Sequence, residues 1–254
     1  MPGRIQSIER AAAILRLLSG RTRRLAVAEL AGELRLPKGT VYGILRTLQL
    51  VGFVEQDSES GKYQLGPALL HMGSSYLDGN ELRTRALNWA DGLAARSGES
   101  VRIGTLHENQ VLIVHHVFRP DDSRQALEVG TLMPSHATAL GKALLAHHLY
   151  IAAELAADAL VSYTAATVTD VHSFRQELEM VAQRGWASEL GELFQGSASI
   201  AAPIEDRRQV TVGAIAIAGP IERLCDNGRP RAELVNYVME AARAVSRELG
   251  AIPW

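Results

Sequence analysis

The 254-residue sequence contains one cysteine and no long hydrophobic run, and each shortage excludes a class of protein. A single cysteine, Cys225, cannot form a disulfide within the chain, which fits a reducing compartment. No apolar stretch approaches the roughly 18 residues that span a bilayer. The opening stretch MPGRIQSIERAAAILRLLSG carries charges among its apolar positions, unlike the core of a signal peptide. We therefore expect a cytoplasmic protein.

The sequence also lacks the common signatures of enzymes and metal sites. It has no G-x-S-x-G nucleophile elbow, and HATALGKA has His136 and Ala143 where a Walker A loop requires Gly and Ser or Thr. The histidine pairs at 115–116 and 147–148 point in different directions on a strand or a helix, so neither suits one ion. We expect no enzyme activity, no bound metal and no cofactor.

Acidic residues are scarce in the first 54 positions. This stretch holds nine Lys or Arg against three Glu, a charge of +6, whereas the remainder sums to −8 because the whole chain is −2. A basic head on an acidic body is typical of a protein whose one end meets a polyanion such as DNA. The alternative interpretation is an uneven but solvated surface.

The basic head has the pattern of three short helices followed by a β-hairpin. Apolar residues recur at helical spacing in IERAAAILRLL, in AVAELAGELR and in LPKGTVYGILRTLQ, where Pro37 suits the first turn of the third helix. The stretches FVEQ and KYQL then alternate apolar and polar residues around the turn-forming DSESG. Three helices and a hairpin in about 65 residues predict a winged helix-turn-helix.

The third predicted helix has an unusual polar face. Val41, Ile44, Leu45 and Leu48 form its apolar face, and the opposite face carries hydrogen-bonding and cationic groups with two glycines between them. Glycine within a helix costs about 1 kcal/mol relative to alanine, so Gly39 and Gly43 need a reason. In a helix-turn-helix the third helix enters the major groove, and glycine would leave room for the DNA there.

This interpretation predicts a set of DNA contacts. Arg46 is the expected base contact, whereas arginines before the second helix and a lysine in the wing would contact phosphate. The predicted DNA-binding residues are Arg23, Arg24, Lys38, Gly39, Thr40, Tyr42, Arg46, Thr47 and Lys62. Packing of the three helices as a protein-interaction module is the alternative.

The remainder of the chain reads as an α+β domain. Helices are expected over PALLHMGSSYL, over ELRTRALNWADGLAARSG, after HATALGK, over SFRQELEMVAQRG with Ser173 as its cap, and near the C-terminus. Strands are expected on either side of the turn at ENQ, over WASE, over SASIAAPIED and over VTVGAIAIAGP, with a further strand at SRQALEVG. Apolar residues on both strand faces predict a sheet that is covered on both sides.

Several long stretches, taken in this order, resemble the IclR family of bacterial transcriptional regulators. They include LAVAELAGELRLPKGTVYGILRTLQLVGFVEQD, HATALGKALLA, RGWASELGE, GSASIAAPI and GAIAIAGPIERL, and the likeness extends over nearly the whole chain. The resemblance implies a winged helix-turn-helix DNA-binding domain at 1–66, a linker helix at 67–80 and a GAF-like mixed-sheet effector domain at 81–254. It also implies a homodimer or homotetramer that binds palindromic double-stranded operator DNA.

Shorter stretches, such as VLIVHHVFRPDDSRQ, are similar to the branch of the family that controls glycerol catabolism. That likeness implies a repressor released by a small molecule, with glycerol 3-phosphate as the expected effector. A repressor or activator of a different carbon or aromatic catabolic operon is the alternative. A ligand-binding or scaffolding protein would be a third class, although it would not need a basic head.

Family positions carried onto this sequence give the expected effector site, and two of them depart from the pattern. The positions are Ala139, Leu140, Glu189, Ser199, Ala216 and Ala218. Members that bind small keto acids have hydroxyls at the last two positions, and the alanines here argue against such a ligand. Arg35 also replaces a common glycine before LPK, and a left-handed residue there would cost about 1 kcal/mol.

Overall fold

The computed structural model describes residues 5–20, 24–121, 124–157 and 160–251. They divide into two compact units with the boundary between Gly79 and Asn80. The helix expected at 67–80 lies in the first unit, and its role as a separate linker stays a prediction. No helix in the described ranges is both long and apolar enough to cross a membrane.

The first unit is a three-helix cluster followed by a hairpin and a fourth helix. Its elements are α1 (Gln6–Leu18), α2 (Val27–Leu34), α3 (Lys38–Leu50), β1 (Val54–Gln56), β2 (Tyr63–Leu65) and α4 (Pro67–Asp78). Strands β1 and β2 pair antiparallel, and Leu25 forms a further bridge to Tyr63. This is the predicted winged helix-turn-helix.

The core of this unit forms because each helix turns one apolar stripe inward. Ile14 of α1, Leu30 of α2, and Val41 and Leu45 of α3 are completely buried against one another and against the hairpin. At about 25 cal/mol per Å² of apolar area, burying such side chains contributes about 2 kcal/mol each. The predicted inward face of α3 is therefore confirmed.

The second unit contains a six-stranded sheet with helices on both faces. Its elements are α5 (Glu81–Ser97), β3 (Ser100–His107), β4 (Gln110–Val117), β5 (Leu132–Pro134), α6 (Ala139–Leu145), α7 (Leu149–Ala157), α8 (Val171–Arg184), β6 (Ala187–Leu190), β7 (Ser197–Glu205), β8 (Thr211–Pro220), α9 (Ile221–Leu224), β9 (Cys225–Asp226), β10 (Arg229–Pro230) and α10 (Ala232–Glu248). Strands β9 and β10 form a separate small ladder.

The sheet order is β5-β4-β3-β8-β7-β6, and every neighbouring pair runs antiparallel. The sheet is therefore antiparallel throughout. The domain is mixed only in the sense that it combines helices with strands. Helices α5 and α10 pack on one face of the sheet, and α6 packs on the other, where Leu140 lies beside Gly104. The expected covered sheet is confirmed.

Two local expectations are wrong. The segment SRQALEVG is not a strand, because the amide of Gln125 bonds the backbone of Arg119 and the chain rejoins β4 only where Thr131 accepts from Ile113 N–H at 3.0 Å. Helix α8 is capped by Asp170, whose carboxylate accepts the Ser173 N–H at 2.8 Å. Ser173 itself lies inside the helix, so it is not the cap.

Candidate functional site

The outward face of α3 presents two parallel rows of side chains. Lys38, Tyr42 and Arg46 follow one another at intervals of four residues, and Gly39, Gly43 and Thr47 form the adjacent row. Eight residues of α-helix rise about 12 Å, so each row runs about two turns. All six residues are exposed, and Tyr42 is 54% accessible. The predicted polar and glycine positions thus share one surface.

The glycines leave open space on this surface. A β-carbon added at Gly39 or Gly43 would have no heavy atom within 4 Å apart from the helix itself. Packing inside the chain therefore does not require glycine at either position. Among the described residues, Lys38 and Arg46 also have no ion pair or hydrogen bond through their side chains. Thr40 lies half-buried beside this face.

Two other predicted DNA contacts, Arg24 and Lys62, already have partners within the first unit. Arg24 donates from Nη1 to Asp57 at 2.7 Å and from Nε to Gln64 at 2.8 Å. Lys62 Nζ lies 3.5 Å from a carboxylate oxygen of Glu29. These ion pairs connect the wing to the start of α2. Arg23 lies outside the described residues.

The turn between α2 and α3 contains an exposed cation, Arg35. Arg35 has φ of 52° and ψ of 43°, the left-handed conformation expected for the position where related sequences carry glycine. Its N–H donates to Gly32 O at 3.2 Å and so closes the helix. The left-handed geometry is therefore confirmed.

A cavity of about 280 Å³ lies on the face of the sheet that α6 covers. Five of the six expected effector residues line it: Leu140, Glu189, Ser199, Ala216 and Ala218. Ala139 is completely buried in the core cluster and does not line the cavity. The carried-over positions therefore converge on one space, with Ala139 as the exception.

The strand register explains how residues far apart in the sequence share this cavity. Glu189 pairs with Ser199, Ser199 with Ala218, and Ala218 with Ser100. They form one row across four strands, so the row spans about 14 Å at the usual strand spacing. A second row on the same face contains Ala216, Arg102 and His116. The alanines therefore form the middle of the cavity floor.

A carboxyl group occupies the β6 end of the cavity. Glu189 is 5% exposed, and it accepts hydrogen bonds from Ser199 Oγ at 3.1 Å and from the Glu192 N–H at 3.0 Å. Desolvation outweighs both bonds and raises the pKa of Glu189 to about 7. At neutral pH a large fraction of this group is therefore protonated, and it can donate as well as accept.

Cations occupy the opposite end. Arg102 contacts Glu128 through Nε and again through Nη2, which lies 3.1 Å from the second carboxylate oxygen. Arg119 lies against Asp121 and 3.9 Å from Glu99, a carboxylate that is only 2% exposed. Burial raises the pKa of Glu99. The cavity is thus polarised, with guanidinium groups and their carboxylate partners at one end and a partly protonated carboxyl at the other.

Helix α6 closes the cavity and is held by its own polar contacts. Thr138 caps it by accepting the Gly141 N–H at 3.1 Å. A β-carbon at Gly141 would come within 2.0 Å of Ser135 O, so only glycine fits. Lys142, completely buried, lies 2.8 Å from Glu177 and 2.5 Å from Glu192. Lys142 is thus engaged by these carboxylates and is not among the residues that line the cavity.

Sequence reasoning missed the polar residues of the β3–β4 end. Ser100, Arg102, His116, Arg119, Gln125 and Glu128 line the cavity. A signal was present, because Arg102 and His116 place charged or titratable side chains in strands that are mostly apolar. Among the described residues, no three His, Cys, Asp or Glu side chains gather as metal ligands would.

Comparison with known proteins gives consistent results over nearly the whole chain. Residues 7–58 match the family described as "IclR helix-turn-helix domain", and residues 74–247 match "Bacterial transcriptional regulator IclR C-terminal". Two relatives named "Glycerol operon regulatory protein" are similar, from Streptomyces coelicolor (55% identity) and Streptomyces griseus (53%), each covering 99% of both chains. The crystal structure of an IclR transcriptional regulator from Alicyclobacillus acidocaldarius superposes with a TM-score of 0.82 at 25% identity, covering 97% of this chain and 98% of that one.

Proposed function

The chain belongs to the IclR family of bacterial transcriptional regulators, and we propose that it represses a glycerol catabolism operon in the cytoplasm. A small phosphorylated polyol, with glycerol 3-phosphate as the expected case, would release it from the operator. The relatives that match over the whole chain are regulators and not enzymes. The similarity to two glycerol operon regulatory proteins at more than half identity carries the choice of operon.

Helix α3 is the proposed reading element. Its two outward rows combine cations, hydroxyls and open glycine positions, which suits insertion into a major groove. Arg46 would contact base edges, because a guanidinium can bond guanine O6 and N7 together. Lys38 at the helix start would contact phosphate, and the N-terminal N–H groups add to that attraction. The main role of Arg24 and Lys62 would be to hold the wing through their ion pairs, and contact with phosphate would be an additional role.

Arg46→Ala is the direct test of this reading. Loss of a bidentate base contact costs about 1–3 kcal/mol per half-site, so operator affinity should fall at least tenfold. The free energy of unfolding should change by less than about 0.5 kcal/mol because Arg46 is exposed. Fluorescence anisotropy and chemical denaturation give the two values. Arg243→Ala, an exposed arginine of α10, is the matched control; equal losses in both variants would contradict the proposal.

The polarised cavity is the proposed effector site. A phosphorylated polyol carries an anion at one end and hydroxyls at the other, which matches guanidinium groups near β3 and a carboxyl with Ser199 near β6. Because a large fraction of Glu189 is neutral near pH 7, it would accept and donate to hydroxyls without repelling the phosphate strongly. Ala216 and Ala218 would give the carbon chain room.

Induction would work through the two half-sites of a palindromic operator. In a dimer, the separation of the two recognition helices must match the half-site spacing. A ligand that binds one arrangement of the effector domains more tightly shifts the population toward it. Operator affinity falls only if that arrangement fits the half-sites less well. The proposed assembly is a homodimer or homotetramer.

A ligand panel tests the effector. Gel retardation of operator DNA should show release by glycerol 3-phosphate and little effect of glycerol, which lacks the anion, or of pyruvate, which lacks the hydroxyls. If none of the three changes operator affinity, the proposed induction is wrong. Release by pyruvate alone would instead favour a regulator of a different catabolic operon.

A further inference from the structure

His116 presents an unsatisfied donor in the cavity wall. The residue is 9% exposed and lines the cavity. Its Nδ1 accepts the backbone N–H of Glu128 at 3.3 Å, which places the ring hydrogen on Nε2. That Nε2 is buried and has no hydrogen-bond partner among the described residues. Buried donors are nearly always bonded in native proteins, so an acceptor from outside the chain is expected here.

Arg102 stands directly opposite His116. The two residues are register partners in β3 and β4, which puts their β-carbons about 5 Å apart on one face. Among the residues that the structure describes, only Glu128 holds the guanidinium of Arg102, through two parallel contacts of the kind that a carboxylate or a phosphate makes. Glu128 therefore contacts both members of the pair, Arg102 with its carboxylate and His116 with its backbone N–H.

We propose that Arg102 and His116 form an oxyanion subsite selective for a phosphate monoester, in which the ligand displaces the carboxylate of Glu128 from Arg102. The proposal rests on the proposed function in one respect, that a ligand fills this cavity. The guanidinium fork offers two N–H groups and the imidazole a third. Three donors match the three terminal oxygens of a phosphate monoester, whereas a carboxylate has only two oxygens.

Neighbouring charges support this division of roles. Arg119 also lines the cavity, but Glu99 and Asp121 already lie against its guanidinium. Glu128 lies in the segment between β4 and β5 and pairs with Arg102 through side chains that are about one-fifth exposed. Arg102 is thus the cavity guanidinium whose single carboxylate partner can be exchanged for a ligand.

Isothermal titration with glycerol 3-phosphate, inorganic phosphate and glycerol tests the subsite. Glu128→Gln removes the competing charge, so both phosphates should bind at least about tenfold tighter than to the wild type. His116→Asn keeps an acceptor near the position of Nδ1 and removes the Nε2 donor, so both should bind at least about tenfold weaker. Glycerol binding should stay unchanged in both variants.

His115→Asn is the matched control. His115 neighbours His116 on β4 but pairs with Ile103 in a row on the opposite face of the sheet, and it does not line the cavity. The affinities of the His115→Asn variant for glycerol 3-phosphate and inorganic phosphate should stay within about twofold of the wild type. Thermal melting without ligand checks that each variant folds. If Glu128→Gln is unstable, Glu128→Asp, which shortens the reach to Arg102, should also tighten phosphate binding.

The results separate this subsite from the proposed function. Release of the operator by glycerol 3-phosphate with equal affinities in the two histidine variants would overturn the subsite and leave the function standing. Phosphate binding that depends on His116 and Glu128, without release by glycerol 3-phosphate, would support the subsite and overturn the effector. A wild type that binds neither phosphate, or a Glu128→Gln variant that binds them no tighter, would overturn the subsite.

Discussion

At the scale of single residues, Glu189 couples folding to pH. Its pKa rises from an ordinary value of 4.5 to about 7 because it is desolvated. The folded protein therefore holds a proton that the unfolded chain releases between these values. The favourable contribution is complete below about pH 4.5 and is lost as pH rises through about 7, a change of up to about 3 kcal/mol.

Comparison with Glu189→Gln isolates this contribution, since the amide cannot titrate. The free energy of unfolding of the wild type should fall relative to the variant as pH rises from 5 to 8. Chemical denaturation at several pH values measures the difference. A constant difference over that range would mean that Glu189 keeps an ordinary pKa in the folded protein.

Lys142 is a second residue whose burial determines how much its replacement would lower the free energy of unfolding. Its ammonium group is completely buried between Glu177 and Glu192, and one oxygen of Glu192 has no hydrogen bond from any described residue. Lys142→Met would leave the buried carboxylate of Glu192 and the half-buried one of Glu177 without their cation, which costs about 3–5 kcal/mol. Lys62→Met, which removes an exposed ion pair with Glu29, should cost less than about 1 kcal/mol. Urea denaturation should separate the two variants clearly; similar losses would contradict the burial argument.

At the scale of elements, the two glycines of α3 should affect the stability of the helix and its binding to DNA in opposite directions. No heavy atom lies near an added β-carbon at Gly39 or Gly43, so alanine at either should raise the free energy of unfolding by about 0.5–1 kcal/mol. The same methyl groups would approach the DNA, and operator affinity should fall. Gly92→Ala in α5 is the control, because that position is equally open and lies outside the proposed interface.

Anisotropy and denaturation of the three alanine variants give the comparison. Tighter operator binding by Gly39→Ala or Gly43→Ala would show that the glycines do not provide clearance. Loss of affinity in all three would indicate an indirect effect on the fold.

Elements that depend on local pattern could be predicted from the sequence, and those that depend on pairing could not. The inward face of α3 and the hairpin over 54–65 follow from periodicity and turn residues alone. The strand expected at SRQALEVG failed because side chains of Gln125 and Glu128 hold that segment instead of a backbone ladder. The sequence predicts the cap of α8 at Ser173, three residues after the observed cap at Asp170, because both Ser and Asp are common capping residues.

The candidate site divides in the same way. Family positions gave Glu189 and Ser199, which do line the cavity. Arg102 and His116 were not expected, because they share a sheet face with Glu189 only through the order and register of β4, β3, β8, β7 and β6. Glu128 joins them from the segment between β4 and β5. Periodicity within one strand gives the face of a residue, and only the strand order tells which residues of other strands share that face.

At the scale of the whole molecule, the charge division predicts strong salt dependence. Residues 1–54 carry +6, and the rest of the chain carries −8. Each neutralised phosphate adds about −0.9 to the slope of log affinity against log salt. Lys38→Ala removes two contacts from a dimer, so the slope should become shallower by about two.

Arg243→Ala, in the acidic part of the chain, should leave the slope unchanged. Anisotropy titrations with operator DNA between 50 and 200 mM salt measure it, and the wild type should lose orders of magnitude in affinity over that range. Affinity that does not depend on salt would contradict phosphate binding by the basic head.

The in-register row of Glu189, Ser199, Ala218 and Ser100 also sets a length scale. Its members are separated by whole strand spacings of about 4.8 Å, so the distance between the carboxyl and the cations can change only in such steps. A chain with Glu189→Ser and Ser199→Glu would hold its carboxyl one strand closer to Arg102. Such a cavity would favour ligands about three bonds shorter. Because the cations stay in place, relatives in which these two residue types are exchanged should bind ligands of a different length but of the same charge.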